Sequence, residues 1–78
     1  MIKAEFTIYP FVEGMGFPDY VQVAIDAFTE AGLEAELGPL SQTVRGEPGA
    51  VLEAVRAATE AAIRTGATRV VLNIEVEP

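Results

Sequence analysis

A chain of 78 residues without cysteine or histidine has no disulfides, no thiolate metal ligands and no side chain that ordinarily titrates near neutral pH. Its formal net charge of −7, from twelve acidic and five basic residues, disfavours nucleic acid as a partner, because phosphate backbones are bound through Lys and Arg. No apolar run approaches the ~20 residues of a membrane span. We therefore expect one domain over residues 1–78, in the cytoplasm, with no membrane partner.

The first half of the chain predicts a strand, a loop, a helix and a short strand. Residues 2–10 alternate apolar and polar side chains, which is typical of a half-buried strand. The following loop, from Phe11 to Pro18, is apolar: its side chains either pack under the first helix or line a pocket or a subunit contact. A helix is predicted from Pro18 to Ala31, ending at Gly32, and residues 33–37 alternate like an edge strand. The predicted core stripe of this helix comprises Val21, Ala24, Ile25, Phe28 and Ala31.

The segment from Gly38 to Gly46 is the most distinctive part of the sequence. Gly38 and Pro39 predict a tight turn before a strand. On that strand Leu40, Gln42 and Val44 lie on one face, and Ser41, Thr43 and Arg45 on the other. Three uncharged hydrogen-bonding side chains on one short strand suit a small polar ligand. The alternative is an ordinary strand connection whose Ser and Thr side chains face water.

A second helix and a last strand complete the chain. The helix is predicted from Pro48 to Thr65, with Gly66 ending it, and the strand from Thr68 to Val76. The residues of this helix expected in the core are Val51, Leu52, Val55, Ala58 and Ala62. Val70, Leu72, Ile74 and Val76 form the side of the strand that is expected to face the helices.

The element order β-α-β-β-α-β predicts an α+β, ferredoxin-like fold. Right-handed crossovers give a four-stranded antiparallel sheet of order 4-1-3-2 with both helices on one face. The loop after the first strand, the turn at Gly38 and the connection at Gly66 then lie at one end of the domain. A candidate ligand site forms there from Ser41 and Thr43 with Phe11 and Phe17. The other face of the sheet is either wet or covered by a second subunit.

Catalytic and metal-binding residues are not predicted. Ser41 and Thr43 lack an activating base in a chain without His or Cys. Glu34 and Glu36 share a strand face, but exposed carboxylates on an edge strand typically deter edge-to-edge pairing. We therefore expect a protein that is not an enzyme and holds neither a metal nor a cofactor.

Residues 37–46, together with residues 4–10 and 67–70, resemble the small thiamine-binding protein family related to YkoF. The resemblance implies a ferredoxin-like domain that assembles as a homodimer or homotetramer. It also implies that the chain binds thiamine, or its hydroxymethylpyrimidine part, as a small-molecule ligand without catalysing a reaction. Gly38, Pro39, Ser41 and Thr43 are the positions that match the family's motif. The same features suit an amino-acid-sensing, ACT-like regulatory module or a purely structural oligomerisation domain, and these remain the alternatives.

Overall fold

The computed structural model describes residues 1–10, 18–38 and 41–78, which contain four strands and two helices. In chain order these elements are β1 (Ile2–Tyr9), α1 (Asp19–Glu30), β2 (Glu36–Leu37), β3 (Gln42–Gly46), α2 (Pro48–Arg64) and β4 (Arg69–Val76). The predicted element order is confirmed, and both helices, β1 and β4 begin and end within one residue of the predicted bounds.

The strands form one antiparallel sheet in the order β2-β3-β1-β4, which is the predicted order read from the other edge. Phe6 of β1 lies between Gln42 of β3 and Leu72 of β4, while Leu37 of β2 pairs with Gln42. The end of β1 therefore lies beside the start of β4 and extends three residues beyond the start of β3, where β2 ends. The topology confirms the ferredoxin-like fold and brings the three predicted connections to one end of the sheet.

The core lies between the helices and the face of the sheet that carries the even-numbered residues of β1. The alternation of β1 is confirmed, because Ile2, Ala4, Phe6 and Ile8 are buried. Phe6 meets Phe28 of α1 edge to face, with ring centroids 5.6 Å apart and an interplanar angle of 89°. Aromatic pairs in this geometry add about 0.5–1.5 kcal/mol to the stability that area burial provides. The helices contribute Tyr20, Ala24, Phe28, Val51, Ala54, Val55, Ala58 and Ala62 to this core.

Both helices end at the predicted glycines through the same hydrogen-bonding pattern. After α1, Gly32 has a φ of 79°, and the N–H of Leu33 donates to the carbonyl of Phe28 at 3.0 Å. After α2, Gly66 has a φ of 118°, and the N–H of Ala67 reaches back to α2 in the same way. Because a positive φ is strained for residues with a Cβ, glycine at these two positions sets where each helix stops.

Three predictions about the core are wrong in detail. Ala31 is exposed, because the buried side of α1 follows Tyr20, Ala24 and Phe28 and ends one turn earlier. Leu52 is also exposed, because α2 turns Val51 and Ala54 inward and leaves Leu52 on its flank. β2 is limited to two residues, since Leu33 still takes part in the helix-ending turn.

The inward side of β4 is less covered than predicted. Register places Leu72, Ile74 and Val76 on the same face as Phe6, Ala4 and Ile2, as expected. All three β4 side chains are nevertheless exposed, Val76 by 81%. This edge of the sheet therefore presents an apolar surface on the helix side. Within the described ranges, neither helix has the length and apolarity needed to cross a bilayer.

Candidate functional site

Main-chain hydrogen bonds tie together the end of the sheet where the connections meet. The N–H of Thr68 donates to the carbonyl of Tyr9 at 2.9 Å, which joins the start of β4 to the end of β1. The hydroxyl of Tyr20 donates to the carbonyl of Pro10, so the first turn of α1 is anchored at the same place. The N–H of Gly38 donates to the carbonyl of Ser41 at 2.8 Å and closes the turn before β3. The candidate site is thus framed by four elements.

Thr43, one of the two hydroxyl-bearing residues of the central motif, lies on the open side of the sheet. Thr43 pairs in register with Glu5 of β1 and Glu36 of β2, both on the face opposite the helices. Ser41 and Thr43 are half-buried, and Ser41 comes directly before β3. Their role in ligand binding remains a prediction. The predicted site residues Phe11, Phe17 and Pro39 lie outside the described residues.

The two glycines of the motif differ in what their surroundings allow. A Cβ added to Gly38 would lie 3.4 Å from the carbonyl oxygen of Ser41, an ordinary contact distance. A Cβ added to Gly46 would lie 3.2 Å from Leu33 Cδ2 and 3.3 Å from Val51 Cγ2, which is too close without a shift. Gly46 therefore serves close packing between the sheet, α2 and the turn after α1, rather than a ligand.

Gln42 is the polar residue of the motif that points into the protein, and the sequence prediction of the site did not include it. Only 4% of its surface is exposed, and its register partner Phe6 is fully buried. Within residues 1–10, 18–38 and 41–78, no hydrogen-bond donor reaches its Oε1 atom. The signal was present in the alternation, which placed Gln42 on the face of Val44 in the core. A buried acceptor of this kind marks a place where a partner is missing.

A shallow groove in the surface runs along β2. This groove has a volume of about 400 Å³ and is lined by Ile25, Thr29, Gly32, Leu33, Glu34, Ala35 and Leu37. The hydroxyl of Thr29 already donates to the carbonyl of Ile25 at 3.0 Å, and Glu34 is exposed. Its described polar lining is therefore satisfied by the protein or by water, in contrast to Gln42.

The basic residues of the chain are engaged with acidic or aromatic partners. On the open face, Lys3 lies 3.5 Å from Glu75, and Arg45 lies 3.3 Å from Glu36. The guanidinium of Arg69 lies over the ring of Tyr9, 5.1 Å from its centroid.

On α2, Arg56 contacts Glu53 and Glu60, each at 2.7 Å, and Arg64 lies 3.7 Å from Glu60. The hydrogen bond from Arg56 to Glu53, and then the charge of Arg56, hold the pKa of the Glu53 carboxyl below its ordinary value of 4.5. The hydrogen bond to Glu53 and the charge of Glu53 in turn raise the pKa of Arg56. Since the chain carries twelve acidic residues, many carboxylates remain to give the surface a negative field. Among the described residues, no group of three acidic side chains is arranged to hold a metal ion.

Comparison with known proteins identifies the family. The sequence model of the family described as thiamine-binding protein matches residues 4–78. No curated protein matches the chain. Among solved structures, a domain of unknown function (DUF77) from Bacillus cereus is 26% identical, with a TM-score of 0.69 over 95% of this chain and 71% of that one.

Two more distant structures share the fold. A candidate thiamine biosynthesis/salvage protein from Thermotoga maritima is 24% identical, with a TM-score of 0.67 over 95% of this chain and 78% of that one. An acylphosphatase from Bacillus subtilis is 18% identical, with a TM-score of 0.62 over 100% of this chain and 89% of that one. These likenesses support the architecture, and the family match covers almost the whole sequence. The chain therefore belongs to the thiamine-binding protein family.

Proposed function

We propose that the chain is a cytoplasmic protein that binds thiamine, or its hydroxymethylpyrimidine part, and does not transform it. The observation that carries this proposal is the family match over residues 4–78. The name of the Thermotoga maritima neighbour, which refers to thiamine biosynthesis or salvage, agrees with it.

The chemistry of the ligand suits the electrostatics of the chain. Thiamine joins a permanently positive thiazolium ring to an aminopyrimidine that offers hydrogen-bond donors and acceptors. A chain of net charge −7, whose basic side chains are engaged with partners, attracts a cation at low ionic strength. Ser41, Thr43 and Gln42 offer hydrogen-bonding groups at the end of the sheet. The proposal includes the predicted site, in which Phe11, Phe17, Gly38 and Pro39 also take part in ligand binding.

The proposal that the protein does not catalyse a reaction rests on its residue types. The sequence holds no His or Cys, so a nucleophile would lack the common activating bases. The fold is shared with an acylphosphatase, but residues 11–17 after β1 include no Arg or Lys to bind a phosphate. Reproducible turnover of thiamine, its phosphates or an acyl phosphate, removed by a point substitution, would refute this part of the proposal.

A thermal-shift panel tests the function. The panel contains thiamine, its phosphates, hydroxymethylpyrimidine and amino acids, because a ligand that binds only the native state raises Tm. We expect thiamine or hydroxymethylpyrimidine to raise Tm. A shift with amino acids alone would favour the amino-acid-sensing alternative, and no shift with any compound would favour a structural oligomerisation domain.

Calorimetry with Thr43→Val then tests the motif hydroxyl. The change removes one hydrogen-bond partner from a nearly isosteric residue, so thiamine binding should weaken by about 0.5–1.5 kcal/mol if Thr43 contacts the ligand. Arg64→Ala, on the exposed side of α2, is the control and should bind thiamine like the unchanged protein. Equal affinity in all three proteins would place the site away from Thr43.

We also propose that the chain assembles as a homo-oligomer through the edge at β4. Leu72, Ile74 and Val76 are exposed on the helix side of this edge strand. α1 lies beside β2, as the groove along β2 shows, and β4 is at the other edge of the sheet. The side of α2 that is turned away from α1 is therefore the side nearer to β4. That flank carries Leu52 and Ile63, which are also exposed. A second copy that pairs along β4 would remove these five apolar side chains from water and complete the hydrogen bonding of the edge.

Charge complementarity suggests the register of this pairing. If two β4 strands pair antiparallel about a two-fold axis at Leu72, Arg69 of one copy lies opposite Glu75 of the other. The same register sets Val70 against Ile74 on the inward face. Both the charged and the apolar sides of the strand are then complementary to themselves, which a two-fold interface requires.

Light scattering on charge-reversal variants tests the assembly. We expect Arg69→Glu to weaken the dimer, because it places two carboxylates opposite each other, and Arg69→Glu with Glu75→Arg to restore it. Arg64→Glu, which reverses a charge away from β4, is the control. A monomer for the unchanged protein, or a dimer insensitive to Arg69→Glu, would refute this interface, whereas a tetramer would require a second surface such as the open face of the sheet.

A further inference from the structure

We propose that Gln42 determines which ligand this protein accepts, with its Oε1 atom taking a hydrogen bond from the exocyclic amino group of the pyrimidine ring. The inference rests on the proposed function and assigns one half of the ligand to one described residue. It differs from the predicted site, whose Thr43 lies on the opposite face of β3.

The first step is the free-energy cost of burying the Gln42 amide in the ligand-free protein. Gln42 is 4% exposed, and no donor from the described part of the chain reaches Oε1. The other β3 residue on this face, Val44, is apolar and fully buried, as is Phe6 beside Gln42 on β1. An apolar side chain would therefore suit this position better if packing were its only role, because a buried unpaired acceptor is unfavourable.

The second step is location. Gln42 is the first residue of β3 and follows the turn that the Gly38 to Ser41 hydrogen bond closes. Its register partner Phe6 lies three residues before the end of β1 and pairs with Leu72, three residues after the start of β4. Phe6 and its edge-to-face partner Phe28 lie on the same side of the sheet, and both are fully buried. An unpaired acceptor next to the turn before β3 fits a ligand group that carries a hydrogen-bond donor.

The third step is the choice between the two rings of thiamine. An amide oxygen accepts hydrogen bonds and cannot donate them. The thiazolium nitrogen is alkylated and has no N–H, so the donor of that half is the single O–H of its flexible hydroxyethyl arm. The pyrimidine carries an amino group with two N–H donors directly on its flat ring. Oxythiamine differs from thiamine by a carbonyl oxygen in place of that amino group, so with the Gln42 amide oriented as in this structure it would bring one acceptor against another. The geometry therefore points to the aminopyrimidine half as the ligand of Gln42.

Calorimetry with thiamine and oxythiamine, on the unchanged protein and on Gln42→Met, tests this assignment. Methionine has nearly the shape of glutamine but presents no carbonyl oxygen. We expect the unchanged protein to bind thiamine at least about 10-fold more tightly than oxythiamine, the ratio that corresponds to 1.4 kcal/mol. In Gln42→Met the ratio should fall below about 3-fold, mostly through weaker thiamine binding.

Gln22→Met is the matched control, because it makes the same change at the chain's other glutamine, which is exposed on α1 and donates to Asp26. It should keep the full preference for thiamine. Gln42→Leu provides a second apolar variant if the methionine variant folds poorly.

The outcomes separate the inference from the proposed function. Failure of the unchanged protein to bind thiamine and hydroxymethylpyrimidine would overturn both. Binding of thiamine and oxythiamine with equal affinity would leave the function standing and refute the role of Gln42. If the preference for thiamine over oxythiamine survives Gln42→Met but falls in Thr43→Val, the pyrimidine amino group binds on the open face of the sheet. That result would also refute the role of Gln42.

Discussion

Replacing Gln42 by methionine should stabilise the ligand-free protein, which is the opposite of what most changes at buried positions do. The reason is the buried Oε1 atom, which none of the described residues pairs with a donor. Methionine fills nearly the same space and introduces no strong hydrogen-bonding group, so the desolvation cost of the acceptor disappears without a cavity.

The size of the effect follows from the cost of such a group, which is about 1–3 kcal/mol for a buried acceptor without a partner. Imperfect packing of methionine offsets part of this gain, so the free energy of unfolding should rise by about 1–2 kcal/mol. In a domain of this length, 1 kcal/mol corresponds to a Tm change of about 4–8 °C. We therefore expect Tm to increase by at least about 4 °C.

Thermal and urea unfolding, monitored by circular dichroism at one fixed protein concentration, measure this change. Gln22→Met controls for the substitution itself and should shift the free energy of unfolding by less than about 0.5 kcal/mol. If thiamine binds Gln42 as proposed, saturating thiamine should reverse the order of the two Tm values, because the unchanged protein gains more stability from the ligand. A lower Tm for ligand-free Gln42→Met would show that Oε1 is already satisfied and would remove the physical basis of its assignment to a ligand.

Three further changes test the packing and the electrostatics. Phe28→Leu removes the edge-to-face contact with Phe6, so it should lower the free energy of unfolding by at least about 0.5–1.5 kcal/mol. A loss within experimental error in urea melts would contradict that contact. Gly46→Ala should lower the free energy of unfolding by about 1–3 kcal/mol in the same assay, because the new Cβ would lie 3.3 Å from a methyl of the buried Val51. A neutral or stabilising result would mean that α2 shifts freely to make room for the Cβ. The hydrogen bond from Arg56 depresses the pKa of Glu53, so the stability that this pair contributes is present above pH 4.5 and is lost as the pH falls through the lower pKa of the folded state. Urea melts of Glu53→Gln should therefore show a smaller loss of stability on acidification than the unchanged protein, and an identical pH profile would show that the exposed pair contributes nothing.

The sequence predicted the features that local chemistry determines. Alternation identified β1 with its buried face, and the need for a positive φ identified Gly32 and Gly66 as the ends of the helices. Right-handed crossovers then determined the strand order without any contact information.

The features that the sequence did not predict depend on how the elements pack. Helical periodicity cannot distinguish Leu52 from Ala54 as the inward residue, because both lie within the apolar sector of α2 and the packing of α2 against α1 and the sheet decides. The site prediction favoured hydroxyl groups on an exposed face and did not include Gln42, although the same alternation had placed that amide in the core. A polar side chain at an inward position is a stronger sign of a ligand than polar groups that face water.

The brevity of β2 has a consequence for how fast a ligand can bind. Two residues pair β2 with β3, and the accompanying ion pair between Glu36 and Arg45 is exposed, so it contributes at most about 1 kcal/mol. Such a segment detaches in local fluctuations that cost far less than global unfolding. Leu37 is the register partner of Gln42, so each detachment uncovers the β3 edge beside the buried amide. We expect the amides of β2 to exchange with deuterium well before those of β1. If thiamine binds Gln42 as proposed, it should slow this exchange and associate more slowly than diffusion allows, because binding then waits for the strand to open.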